Sequence, residues 1–102
     1  MSEARETVQE LFGRIPRRHT ADNVKEIYSI IDDYEDLLQT LEANPQYESV
    51  IAPFFEAVAP VRATVKKSND PKASKKAKDV LFDEGSGALK DTMEELMKLL
   101  EG

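Results

Sequence analysis

Residues 21–43, ADNVKEIYSIIDDYEDLLQTLEA, decide the fold. Val24, Ile27, Tyr28, Ile31, Tyr34, Leu38 and Leu41 recur there in steps of three and four, the repeat of one face of an α-helix. Ile30 and Leu37 widen the stripe to about half the circumference at ~100° per residue. A face that broad needs two or more neighbours, so this helix is expected at the centre of a bundle. Thr20 is the expected N-cap, with Asp22 favourable in the first turn.

Toward the N-terminus, Ala4, Val8, Leu11, Phe12 and Ile15 trace one face of a first helix, capped by Ser2 and ended by Pro16. Toward the C-terminus, Asn44-Pro45 reads as a stop and a restart, with Asn as N-cap and Pro at the first helical position. The next stripe runs through Tyr47, Val50, Ile51, Phe54, Phe55, Val58, Val61 and Val65. Pro53 and Pro60 interrupt it on the opposite face, each freeing a carbonyl (Ser49, Glu56) on the water side. Two readings stay open: one bent helix, or a short helix ending at Ala52 with another beginning at Pro53. Ser68-Asn69-Asp70-Pro71 repeats the cap-then-proline signal, and Ala73, Ala77, Val80 and Leu81 give a fourth helix a thin stripe. Asp83-Glu84-Gly85-Ser86-Gly87 reads as a turn. A last helix over 88–101 carries Leu89, Met93, Leu96, Met97 and Leu100. Nothing alternates at period two over a strand length. The expected fold is all-α, a compact antiparallel bundle of four to five helices, with residues 1–102 as one domain.

Size and composition set the limits. A chain of 102 residues and 11.5 kDa folds to a surface of ~5,800 Å² from ~16,700 Å² unfolded, enough burial for one core. With no cysteine, disulfides, thiolate–metal sites and thiol catalysis are excluded, and the single His19 removes His-rich metal sites. Residues 1–12 are charged and periodic without an apolar run, which predicts neither a signal peptide nor a membrane span and points to a cytoplasmic protein.

The charge map is uneven. The net charge is -6, yet Arg62 to Lys78 holds seven bases (Arg62, Lys66, Lys67, Lys72, Lys75, Lys76, Lys78) against Asp70 alone. That segment is +6 and the rest of the chain -12. Arg14, Arg17, Arg18 and His19 form a smaller basic cluster before the second helix. Lys66 and Lys67 end a helix, where cations suit the macrodipole; Lys72, Lys75 and Lys76 begin one, where they oppose it. A local rule broken without visible compensation points to function. An acidic partner, a phosphate backbone or an anionic lipid surface would each compensate. Nucleic acid is disfavoured: a pI near 4.8 and a lysine cluster without interleaved aromatics suit neither groove reading nor base stacking.

Other chemistry is weaker. Asp32-Asp33-Tyr34-Glu35-Asp36 has a spacing that invites Mg²⁺, since Asp32 and Asp36 share a helix face. A metal-dependent hydrolase built on Asp32, Asp33 and Asp36 is one alternative, and a water-facing acidic edge the plainer account. Glu35 and Glu42, at the edge of the apolar arc, read as half-buried acids or as partners of a lysine on the next helix. Phe54, Phe55, Met93 and Met97 suit either the core or an adaptable partner groove. No serine has a nucleophile-elbow context and no glycine spacing makes a phosphate loop.

The sequence therefore predicts a small non-enzymatic interaction protein. It binds a protein partner through Arg62, Lys66, Lys67, Lys72, Lys75 and Lys76, without cofactor or metal, and self-association is compatible with it. Binding of an anionic surface through the same lysines is the first alternative.

Overall fold

The computed structural model describes residues 3–101. It holds four helices, α1 (Glu3–Arg14), α2 (Ala21–Glu42), α3 (Ala52–Ser68) and α4 (Lys75–Glu101), and no strand among the described residues. The expected α1 cap, Ser2, lies outside them. In α1, Val8 and Leu11 are buried, Glu3 and Glu6 occupy the first turn and Arg14 the last, as the macrodipole favours. Ile15 is buried just beyond, and Pro16 stops the helix.

α2 follows its pattern closely. Thr20, in extended backbone, accepts a hydrogen bond from the Asn23 N–H at 3.0 Å and so caps the helix. Val24, Ile27, Ile30, Ile31, Tyr34, Leu38 and Leu41 are all buried, which is the broad arc its spacing predicts. Tyr34 is the largest fully enclosed side chain, and its hydroxyl meets Thr92 Oγ1 of α4 at 3.2 Å. Burial of the phenol, partly offset by that hydrogen bond, pushes its pKa up to about 12.

Three boundaries depart from expectation. First, Asn44-Pro45 starts no helix. Asn44 Oδ1 accepts from the Gln46 N–H and the Asn44 carbonyl from Tyr47 and Glu48, so residues 43–50 run in successive turns until the buried Ile51. α3 then begins at Ala52. Pro53 in a helix interior would lose its bond to the Ser49 carbonyl and clash with it; in the first turn it costs nothing. Pro60 stays inside the helix on its exposed side, so neither expected alternative holds whole.

Second, Ser68-Asn69-Asp70-Pro71 is the end of α3 and a loop rather than a helix start. Asp70 Oδ1 accepts from the Lys72 N–H at 2.9 Å, and α4 starts after Ser74, whose Oγ accepts from the Ala77 N–H at 3.1 Å. Lys72 therefore lies outside α4, and of the three lysines expected to begin that helix only Lys75 and Lys76 do so.

Third, the expected turn at 83–87 is helix interior. No described glycine takes a positive φ. A Cβ built at Gly85 would lie 2.9 Å from Val65 Cγ2, so this glycine is needed for the close approach of α4 to α3. Ser86 is buried, and its hydroxyl donates to the Pro16 carbonyl at 3.0 Å. One 27-residue helix thus replaces the expected two. Its phase is set by Leu89, Met93, Leu96 and Leu100, and seven residues before Leu89 it buries Phe82. Val80 is left half exposed.

The helices pack as α1 on α2, α2 on α3, α3 on α4 and α1 on α4, with α3 and α4 the most extensively joined. The molecule measures 45 × 21 × 17 Å, and its surface of 6385 Å² exceeds the ~5,800 Å² of an average shape because it is elongated.

Candidate functional basic surface

The arginines and the lysines of the basic segment have different fates. Arg62, on α3, reaches α2: its Nε donates to Glu35 Oε1 at 2.6 Å, and its Nη2 to Asp32 Oδ1 at 2.6 Å and to the same Glu35 oxygen. Partial burial lowers its pKa, but the hydrogen bonds and charges of Asp32 and Glu35 outweigh that, so the guanidinium sits above its ordinary value. Its charge is matched within the fold. Arg14 is spent the same way. It donates from Nε and Nη2 to Glu26 Oε1 at 3.0 and 2.8 Å and lies 3.7 Å from Asp33, and the Glu26 hydrogen bond leads in raising its pKa.

These two arginines also engage most of the acidic stretch on α2. Asp32 turns to α3 and Asp33 to α1, so the carboxylates serve different neighbours. No group of three His, Asp or Glu side chains among the described residues is arranged to hold a metal ion. Glu35, expected to reach a lysine, reaches an arginine instead.

Lys66, Lys67, Lys72, Lys75 and Lys76 are exposed, and none takes part in an ion pair among the described residues. Lys66 and Lys67 occupy the last turn of α3 and edge a cleft of about 490 Å³ with Tyr28, Asn69 and Pro71. Lys72 lies on the connecting loop, and Lys75 and Lys76 open α4.

The smaller cluster meets this surface at Lys75. Arg17 and Arg18 on the α1–α2 loop line a cleft of about 550 Å³ together with Lys75, and Asp79 and Asp83 stand one and two turns further along α4. The loop is tied down residue by residue. Pro16 accepts from Ser86, and Arg18 offers its carbonyl to Asn23 Nδ2 at 2.8 Å. His19 sets its ring edge-on to Phe82 with centroids 5.7 Å apart, and its Nε2 is enclosed with no hydrogen-bond partner. Arg17 and Arg18 are exposed and take no ion pair among the described residues. The lining of this cleft carries Arg17, Arg18 and Lys75 against Asp79 and Asp83. With His19 neutral, that is three positive charges against two negative, a net +1.

The sequence shows both basic clusters but not their union, which depends on α4 passing unbroken through Gly85 to meet the loop at Phe82 and Ser86. The aromatic and methionine candidates divide. Met93 is fully buried, Met97 half-buried, and Phe54 lines a shallow cleft with Pro53, Ala57 and Pro60 against Ala88 and Thr92. No described helix is long and apolar enough to cross a membrane. No protein-family model matches the chain, and neither a curated protein nor a solved structure matches it.

Proposed function

We propose that this is a small non-enzymatic, cytoplasmic interaction protein that binds an acidic protein partner. The contact surface is the end where α3 passes into α4, using Lys66, Lys67, Lys72, Lys75 and Lys76; Arg62 holds α2 against α3 behind it. The observation that carries the reading is the division of labour among the cations. Arg14 and Arg62 are paired with carboxylates of α2, whereas the five lysines are exposed and take no ion pair among the described residues. Unpaired charge of one sign, held on an otherwise anionic molecule, steers and orients an oppositely charged partner.

In this reading the helices form an antiparallel bundle that fixes the two connecting loops at one end. The pairing of Arg5 with Glu101, of Phe12 with Lys90 and of Pro16 with Ser86 supports opposite directions for α1 and α4. Val65 beside Gly85 and Phe54 in one cleft with Glu95 support the same for α3 and α4.

The test is a pull-down from native extract comparing the wild type with a variant carrying Lys72→Glu, Lys75→Glu and Lys76→Glu. The variant should fold, because acids suit a helix start. Loss of a protein captured by the wild type is the expected result; identical partner sets overturn the proposal. Retention on heparin or acidic vesicles that collapses with salt, without a protein partner, would instead assign the lysines to anionic surfaces.

A further inference from the structure

We propose that the cleft between the α1–α2 loop and the start of α4 binds a phosphoryl dianion, held by Arg17, Arg18 and Lys75. The inference goes beyond the partner surface, because it rests on two arginines outside that surface and needs neither Lys66 nor Lys67.

Three positively charged side chains from two distant segments face one cavity of about 550 Å³, a size typical of small-ligand sites. Arg14 and Arg62 show what this fold does with an arginine it uses structurally: it gives each a carboxylate at hydrogen-bond distance. Arg17 and Arg18 receive none among the described residues, although Asp79 and Asp83 line the same cleft. The polar contacts are spent on the loop backbone instead. Ser86 fixes the Pro16 carbonyl, Asn23 fixes that of Arg18, and Thr20 caps α2 immediately after. A buried serine in mid-helix donating to a loop carbonyl is a costly way to hold a loop that carries nothing. Held this way, the two guanidinium groups start from a fixed backbone, and binding loses less freedom than it would from a mobile loop.

Ligand class follows from the donors. Guanidinium groups match the planar edges of phosphate and carboxylate alike, but two of them with an ammonium group suit a dianion better than a single carboxylate. The far wall refines this. Lys75, Asp79 and Asp83 follow one another at four-residue steps on α4, so the cation is succeeded by two carboxylates along the same face. A bare anion gains nothing from that wall. A phosphate monoester bearing an amine or hydroxyl next to its phosphoryl group places the anion on Arg17, Arg18 and Lys75 and its donor on Asp79 or Asp83.

Titration calorimetry at constant ionic strength tests this with inorganic phosphate and O-phosphoethanolamine, with chloride as the control. Cosedimentation with phosphatidylcholine vesicles containing phosphatidic acid tests the same group on a lipid. The expected result is millimolar or tighter binding of O-phosphoethanolamine, stronger than that of inorganic phosphate. Arg17→Gln with Arg18→Gln should weaken it about tenfold or more, the loss of charge-assisted hydrogen bonds. Lys66→Gln with Lys67→Gln should leave it unchanged, which separates this site from the partner surface. Asp79→Asn with Asp83→Asn should strengthen inorganic phosphate and erase the preference for the amine ester. Vesicle binding that is lost with the arginines would assign the phosphoryl group to a lipid headgroup, and binding of the soluble ester alone to a free ligand. Neither probe binding, or equal binding by the arginine variant with an unchanged far-ultraviolet spectrum, overturns the proposal.

Discussion

The two parts of α4 are built on opposite plans. From Phe82 to Leu100 the helix buries Phe82, Gly85, Ser86, Leu89, Thr92, Met93, Leu96 and Leu100 against its neighbours. From Lys75 to Leu81 it buries no residue: Val80 is 50% exposed, and Lys75 and Lys76 stand in the turn where the macrodipole disfavours cations. One continuous rod therefore serves as scaffold over its later turns and as display surface over its first two. The display end is held in place by the scaffold rather than by packing of its own.

The largest effect that can break this contrast is at its border. Phe82→Ala should destabilise the protein by ~3–5 kcal/mol in urea unfolding, the usual cost of removing a buried ring. Val80→Ala, two residues earlier, should stay within ~0.5 kcal/mol. Equal costs would erase the distinction between the two parts.

The scaffold also has a pH signature. With the Tyr34 pKa at about 12 in the folded state and ~10 unfolded, the unfolded chain releases the proton first as pH rises. Stability is intact below pH ~10 and falls through to pH ~12, by roughly 2–3 kcal/mol from this group. Tyr34→Phe should remove that component of the alkaline loss, read as the difference between wild-type and variant melts at pH 9 and 11. An unchanged slope would mean that the phenol is not enclosed as described.

Two glycines sharpen the contrast further. Gly85→Ala forces a methyl group against Val65, so overpacking of ~1–3 kcal/mol outweighs the ~1 kcal/mol helix gain, and the protein loses stability. Val65→Ala should relieve part of that cost in a double-mutant cycle. Gly87 has open space around its Cβ position, so Gly87→Ala should stabilise by ~1 kcal/mol. The smallest effect belongs to the display end. Lys75→Glu and Lys76→Glu should each raise stability by a few tenths of a kcal/mol, visible as a slightly higher Tm at low salt.

What was legible in the sequence follows from how local each cause is. The bounds and broad arc of α2 come from Thr20 and a stripe within one helix, and both are present as expected. Gly85 is the opposite case. Seen alone, Gly85-Ser86-Gly87 looks like a turn; only the approach of Val65, twenty positions earlier, explains a glycine in mid-helix. A turn at 83–87 resets the helical phase, which puts Val80 on the expected buried stripe and leaves Phe82 off it. Extending the Leu89–Leu100 stripe back one heptad reaches Phe82, so its burial is legible in the sequence. The matching of Arg62 with Asp32 and Glu35 was not, because those charges meet only when α2 and α3 are laid side by side.

The short run from Phe82 to Ser86 receives α3 through Gly85 and the arginine loop through Phe82 and Ser86, all within about a turn and a half. A lesion there registers twice, as a loosened helix seam and as misaligned guanidinium groups. Random mutagenesis screened for lost ligand capture should therefore return substitutions at Gly85 and Ser86 alongside Arg17 and Arg18, although neither small residue touches what is captured.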